Sequence, residues 1–157
     1  MNIAASLISR ATRRAPDQLI GADNPPTYLT RWYLLPRNRF FNAYLHHFGR
    51  SDDDRAHHTH PWLFNVSLVL RGMLVEHVIE RGGLVRKHVL LPGNLRFRWG
   101  ASPHRLELPH GWTAWTLFIT GPRVREWGFL CGERGFVHSE RFTAPGREGE
   151  IGRGCDA

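Results

Sequence analysis

With 157 residues, 41% of them hydrophobic and 11% aromatic, the chain is sized for one domain with a continuous core, and its strongest apolar runs, 62–70 and 112–120, are strand-sized, far short of the roughly 20 residues a membrane-spanning helix needs. The net charge of +7 is carried by arginine, since Lys87 is the single lysine; those arginines are dispersed rather than gathered into a stripe with interleaved aromatics, which argues against a nucleic-acid partner. Cys131 and Cys155 are too few and too unevenly placed for a disulfide framework, so a soluble protein of the reducing cytoplasm is the simplest expectation.

In chain order, residues 1–14 contain no acid and three arginines; they lack the apolar core of a signal peptide and suit a short amphipathic helix with Ile3, Leu7 and Ile8 on one side. Pro16, Gly21, Pro25 and Pro26 make the following stretch an irregular lead-in. Strand patterns begin at 31–35 and 40–48. The second sets Phe41, Ala43, Leu45 and His47 against Asn42, Tyr44, His46 and Phe48. Ser51-Asp52-Asp53-Asp54 reads as a charged turn that caps backbone amides and pairs with Arg50 or Arg55. Further strands are expected over 62–70, 73–80, 84–91, 95–99, 104–108, 112–120 and 124–130, with a last short one within 136–142. Gly, Pro and Asn turns separate them.

Eight or more short strands with almost no helical periodicity after residue 20 define an all-β sandwich or barrel. The expected division is a helix and lead-in over 1–30, a β-barrel over 31–143 and a flexible, glycine-rich tail over 144–157.

The chemistry concentrates in His57-His58-Thr59-His60-Pro61-Trp62 and in Ser102-Pro103-His104. Imidazoles at i and i+2 leave an extended strand on one face, so His58 and His60 can share an ion while His57 and Thr59 point away. A third imidazole from another strand completes a facial set of nitrogen ligands with open positions for a substrate. On 104–108, His104 shares a face with Leu106 and Leu108, the inward side, while Arg105 and Glu107 take the other. If the histidine strand runs on unbroken, Phe64 follows on the ligand face; with one extra residue, Asn65 does.

These residues carry a resemblance to the cupins. The run His58-x-His60-x4-Asn65-x6-Gly72 is similar to the family's first motif, with asparagine where glutamate is usual. Gly93-x5-Trp99-x-Ala101-x2-His104 is similar to the second, keeping the first glycine and the histidine. The leading glycine of the first motif is absent, and Trp99, Ala101 and Leu108 replace the Pro, second Gly and Asn of the second. A narrower likeness, to cupin-like proteins of bacteria and their phages with an HxHPW motif, rests on Pro36-Arg37-Asn38-Arg39, Tyr44-Leu45-His46, His58-Thr59-His60-Pro61-Trp62 and Glu126-Trp127-Gly128-Phe129.

The resemblance implies a cupin-type double-stranded β-helix, or jelly-roll barrel, with a divalent metal held by His58, His60 and His104. Iron or zinc come first among the metals, then nickel, manganese and copper. Three neutral imidazoles leave the site doubly positive, which favours a small anionic ligand. The expected function is a metal-dependent enzyme of oxygenase or isomerase/lyase type, with Tyr44, His46 and Glu107 as weak candidates for a base; the alternative is a non-catalytic binding module, in either case open to homodimer formation. His77, His88, His110 and His138 read as surface or turn residues, Trp99, Trp112, Trp115 and Trp127 as core, and Arg96, Arg98 and Arg105 as solvated.

Overall fold

The computed structural model describes residues 3–52, 56–146 and 150–156. Asp53, Asp54 and Arg55 of the expected charged turn lie outside the described residues. Helix α1 (Ile3–Ala11) is followed by β1 (Gln18–Ile20), β2 (Leu29–Tyr33), β3 (Asn42–Phe48), β4 (His57–His58), β5 (Phe64–Gly72), β6 (Leu74–Ile79), β7 (Val85–Leu90), β8 (Leu95–Trp99), β9 (His104–Glu107), β10 (Ala114–Thr120), β11 (Gly128–Leu130) and β12 (Phe136–His138), then a one-turn helix α2 (Ser139–Phe142). The lead-in contributes a strand, β1, that its prolines concealed. The last expected strand stops at His138, whose Nδ1 accepts from the Glu140 amide and starts α2.

The strands form two six-stranded antiparallel sheets, in the orders β1-β2-β3-β10-β5-β8 and β12-β11-β4-β9-β6-β7. From β3 to β6 and again from β7 to β11 the chain changes sheet at every step, while β1-β2-β3, β6-β7 and β11-β12 stay within one sheet, which is the expected jelly-roll. Leu29, Phe48, Val69, Leu74, Leu90, Leu108 and Ala114 fill one end of the space between them. On the outer face of the first sheet, Ile8 of α1 packs over Trp32 and Leu45 beside Leu70 and Trp115, so α1 is held by its apolar side.

Three expectations are overturned. The histidine strand is not continuous with the next: β4 belongs to the second sheet and β5 to the first, and residues 59–63 carry the chain across. The crossing resets the alternation, so Asn65 and Val69 are buried inward while Val66 and Leu68 turn outward. Trp99 and Trp112 are exposed rather than core, and His77 is buried against Glu107 rather than at the surface.

The cysteine reading is overturned as well: Cys131 and Cys155 form a disulfide. It joins a cluster of Ala56, Phe129, Val137 and Phe142, and the C-terminal segment is also held by Glu150, whose carboxylate accepts from the Asp23 amide and Asn24 Nδ2. The cytoplasmic expectation rested on unpaired thiols, a premise that the disulfide removes. No helix among the described residues is long and apolar enough to cross a membrane.

Candidate metal centre

His58 lies on β4 directly opposite His104 on β9, which fixes the two imidazoles side by side with ring centroids 4.8 Å apart. His60 follows the strand's end. Its amide donates to the Gly100 carbonyl at 2.8 Å, and Gly100 donates to the Leu63 carbonyl at 3.0 Å, so the turn before β9 holds the loop that bears His60. A Cβ at Gly100 would run into the Trp62 carbonyl oxygen, so only glycine lets the turn come this close. The ring of His60 stands 5.1 Å from that of His104, with the two Nε2 atoms 2.8 Å apart. One nitrogen from each of the three rings lies within 4.8 Å of the others, a spacing that can hold one metal ion.

Carboxylates stand behind two of the rings. Glu76 on β6 is fully buried; its Oε1 lies 2.9 Å from His104 Nδ1 and contacts Arg98, and its Oε2 accepts from Arg96 Nε at 2.9 Å. With a carboxylate facing it, Nδ1 carries the proton, and the lone pair sits on Nε2, toward the other histidines. Asp52 accepts from the Leu106 amide and stands 3.6 Å from His58 Nδ1. It is the one described acid of the expected turn, and it caps an amide as expected.

Burial dominates the electrostatics. It holds His60 and His104 well below the ordinary imidazole range, assisted by neighbouring imidazoles and Arg98. His58 is also lowered by burial, with Asp52 opposing. All three rings are therefore neutral at neutral pH, the form that binds metal. Burial also lowers Arg98 to about 10, which leaves it a cation. The expectation that Arg98 is solvated is thus corrected: it and Arg96 face inward and pair with Glu76, while Arg105 is partly buried on the opposite face of its sheet.

Asn65, at the inward position after the crossover, exposes nothing, and neither its Nδ2 nor its Oδ1 has a partner. Burying an amide without hydrogen bonds is costly, and an orphaned acceptor at the position that a cupin fills with its carboxylate ligand fits a metal-bearing site. Phe64, the other candidate, does not face the site.

The remaining wall is aromatic. His60 packs on Trp62 and Phe118, and His46 stacks on Phe118 at 4.9 Å and on Tyr44 at 5.8 Å. Of the adjacent pair, His46 faces in and His47 packs outside on Trp115. Arg31 Nε donates to His46 Nε2 at 2.8 Å, and burial, with Arg31 and His60 nearby, keeps His46 neutral. Glu107, named with Tyr44 and His46 as a candidate base, is on the outer face bound to His77 and cannot serve.

Glu76, Arg98 and Arg31 were not anticipated. The signal for Glu76 was present: a lone carboxylate at an alternate position between Leu74 and Val78 on an otherwise apolar face.

No family model matches the chain, and no curated protein matches its sequence. Solved structures match its fold. They include the Fe(II) form of HppE with the alternative substrate (S)-1-HPP, at 15% identity and TM-score 0.52 over 68% of this chain and 58% of that one. Hydroxypropylphosphonic acid epoxidase from S. wedmorenis matches at 16% and 0.51 over 68% and 57%. Oxalate decarboxylase from Lactobacillus farciminis, as its formate complex, matches at 14% and 0.50 over 66% and 31%. The chain thus spans under two thirds of the length of each. At these identities the likeness establishes the fold, a cupin-type double-stranded β-helix, with a histidine cluster in its interior that could bind a divalent metal.

Proposed function

We propose that this chain is a metal-dependent cupin enzyme acting on a small anion, with His58, His60 and His104 holding a divalent ion and Asn65 as a neutral fourth contact. The observation that carries the reading is the convergence of three neutral imidazoles, His58 and His104 buried and His60 partly so, with His104 fixed from behind by Glu76. Iron and zinc are the first candidates, followed by nickel, manganese and copper; the Fe(II) form of a structural neighbour agrees with iron's place in that order. Bound there, the ion supplies Lewis-acid polarisation of a substrate oxygen or a redox centre.

The residues supply the rest. Arg31, Arg96 and Arg98 outnumber Asp52 and Glu76 around the centre, so an ion and an anion bound together come closer to neutrality than an ion alone. Trp62, Phe118 and Tyr44 keep the space dry, and Arg31 holds His46 by its Nε2, so that Nδ1 carries that ring's proton. The neutral Asn65 favours a second reading, a metal-retaining binding module that changes no bond.

Metal analysis of protein purified without a nickel column tests the site. We expect close to one ion per chain, lost in His60→Ala and His104→Ala, and bound more tightly in Asn65→Asp, which restores a charged oxygen. Less than about 0.2 ion per chain after reconstitution would rule it out. Turnover of small carboxylates and phosphonates by the loaded protein, set against binding without turnover, separates enzyme from module.

A further inference from the structure

The strands of the first sheet deliver three segments of chain to one end of the sandwich. Asn42 at the start of β3, Thr120 at the end of β10 and Asn65 at the start of β5 lie side by side there. Beyond that row stand the loop from β2 to β3 (34–41), the crossover 59–63 and the residues that follow β10 (121–125). The last two are tied together, the Leu63 amide donating to the Pro122 carbonyl at 2.9 Å and the Val124 amide to that of Pro61 at 3.0 Å.

These segments show large apolar side chains to solvent. Phe40 is 63% exposed and Phe41 50%, and Leu63 and Val124 are exposed beside them. Scattered single residues of this kind are ordinary, but four on adjoining loops make a patch. The backbone that carries the two rings is fixed. Asn38 Oδ1 accepts from the amides of Phe40 and Phe41, while Asn42 accepts from the Asn38 amide and donates to its carbonyl. Covering the rings therefore costs little further ordering of the chain.

The same segments are cationic. They contain Arg37, Arg39, Arg123 and Arg125 and no acid. The Arg39 guanidinium lies 4.8 Å over the ring of Phe40, and that of Arg37 5.5 Å over Tyr33. Two carboxylates stand near, and both are engaged: Glu126 with His138 at 2.9 Å and Arg123 at 3.9 Å, and Asp17 with Arg14 at 2.7 Å. Among the described residues no carboxylate pairs with Arg37, Arg39 or Arg125, so this end carries an excess of positive charge around its apolar tips.

We propose that this end of the sandwich docks on an anionic lipid surface. Phenylalanine, leucine and valine enter the boundary between headgroups and acyl chains, and guanidinium groups beside them meet lipid phosphates and carboxylates. The attachment is peripheral and needs no spanning segment. A single-stranded nucleic acid would use the cations and the rings, but it would leave the aliphatic Leu63 and Val124 exposed, since neither offers a face for a base to stack on. A lipid surface uses all of them.

Co-sedimentation of the full chain with vesicles of phosphatidylglycerol and phosphatidylcholine in equal parts, in about 0.1 M salt, tests the proposal. The chain should pellet with these vesicles and bind phosphatidylcholine alone at least about tenfold more weakly. Arg37→Gln with Arg39→Gln should weaken binding about 30-fold. Phe40→Ser with Phe41→Ser should weaken it at least as much. Arg71→Gln with Lys87→Gln removes two charges elsewhere, and Trp112→Ser removes an exposed ring at the opposite end of β10; both should leave binding within about twofold of wild type. All of these replace exposed side chains, and circular dichroism checks their folding; should one loop variant fail to fold, the other decides. A chain that stays in the supernatant overturns the proposal, as does binding indifferent to both loop variants. An equal loss in the Arg71 and Lys87 variant also overturns it, because net charge alone would then be the cause. Binding to single-stranded polyuridylate that depends on Arg37 and Arg39, without binding to vesicles, overturns it and assigns the patch to nucleic acid.

Discussion

At the scale of single residues, Glu76 decides how His104 behaves. Its carboxylate is fully buried and holds Nδ1 of His104 at 2.9 Å, so the ring is fixed in both tautomer and angle, while Arg96 and Arg98 hold the carboxylate itself. Such a partner behind a metal-binding imidazole is worth 10- to 100-fold in metal affinity, as a general magnitude. Glu76→Gln keeps the shape and one acceptor but leaves two arginines without their counter-charge. We expect it to weaken metal binding by about that factor, read by competition with a chromogenic chelator. Paired replacement, Glu76→Gln with Arg98→Met, should recover stability, because the buried cation is removed with its partner, but not affinity. If Glu76→Gln binds metal as the wild type does, the carboxylate orients nothing.

At the scale of elements, the crossover at 59–63 is the critical piece. It carries the chain from the second sheet to the first, and its course depends on the close approach of Gly100. Gly100→Ala forces the turn and the His60 loop apart. It should cost about 2 kcal/mol of stability, an overpacking loss, and weaken metal binding in the same variant, whereas Ala101→Ser on the exposed next position should do neither, both by urea denaturation and chelator competition. This crossover also marks where the sequence stops being legible. The strands and their turns follow from period-2 alternation and Gly/Pro punctuation, and His58, His60 and His104 follow from their spacing. Alternation alone does not say which face is inside. On β8 the apolar set Leu95, Phe97 and Trp99 would ordinarily be taken as inward, yet the inner face needs cations to answer Glu76, and Arg96 and Arg98 supply them. The choice between Phe64 and Asn65 depended on a similar long-range fact, the change of sheet between β4 and β5. The disulfide escaped for the same reason, since its ends are 24 positions apart in the chain and the C-terminal turn is brought to Cys131 by its packing on α2 and by Arg134, which donates to the Cys155 carbonyl.

At the scale of the whole molecule, the fold spends its interior on ionisable groups, and this sets its response to acid. Burial is the largest cause that holds His46, His60 and His104 well below the ordinary imidazole value near 6.5; nearby arginines and imidazoles add to it. Because the folded values lie below the unfolded ones, the unfolded chain takes up protons first as pH falls. The stability these groups permit is fully present above pH 6.5 and declines below it, continuing until the depressed folded values are reached. Each imidazole loses up to about 1.4 kcal/mol per pH unit in that window, so at pH 5.5 the three together cost at most roughly 4 kcal/mol. That is a large share of the 5–15 kcal/mol that holds a typical domain together. Urea unfolding of metal-stripped protein should therefore show a midpoint that is level from pH 8 to 7 and falls steeply from 6.5 to 5.5. Replacing His46 with phenylalanine, which fits its stack on Phe118 and Tyr44, should make that fall shallower by about one proton, although it leaves Arg31 without its acceptor. A midpoint that does not move across this range would mean that the imidazoles titrate in the folded chain as they do in water, and the buried, neutral histidine cluster would have to be abandoned.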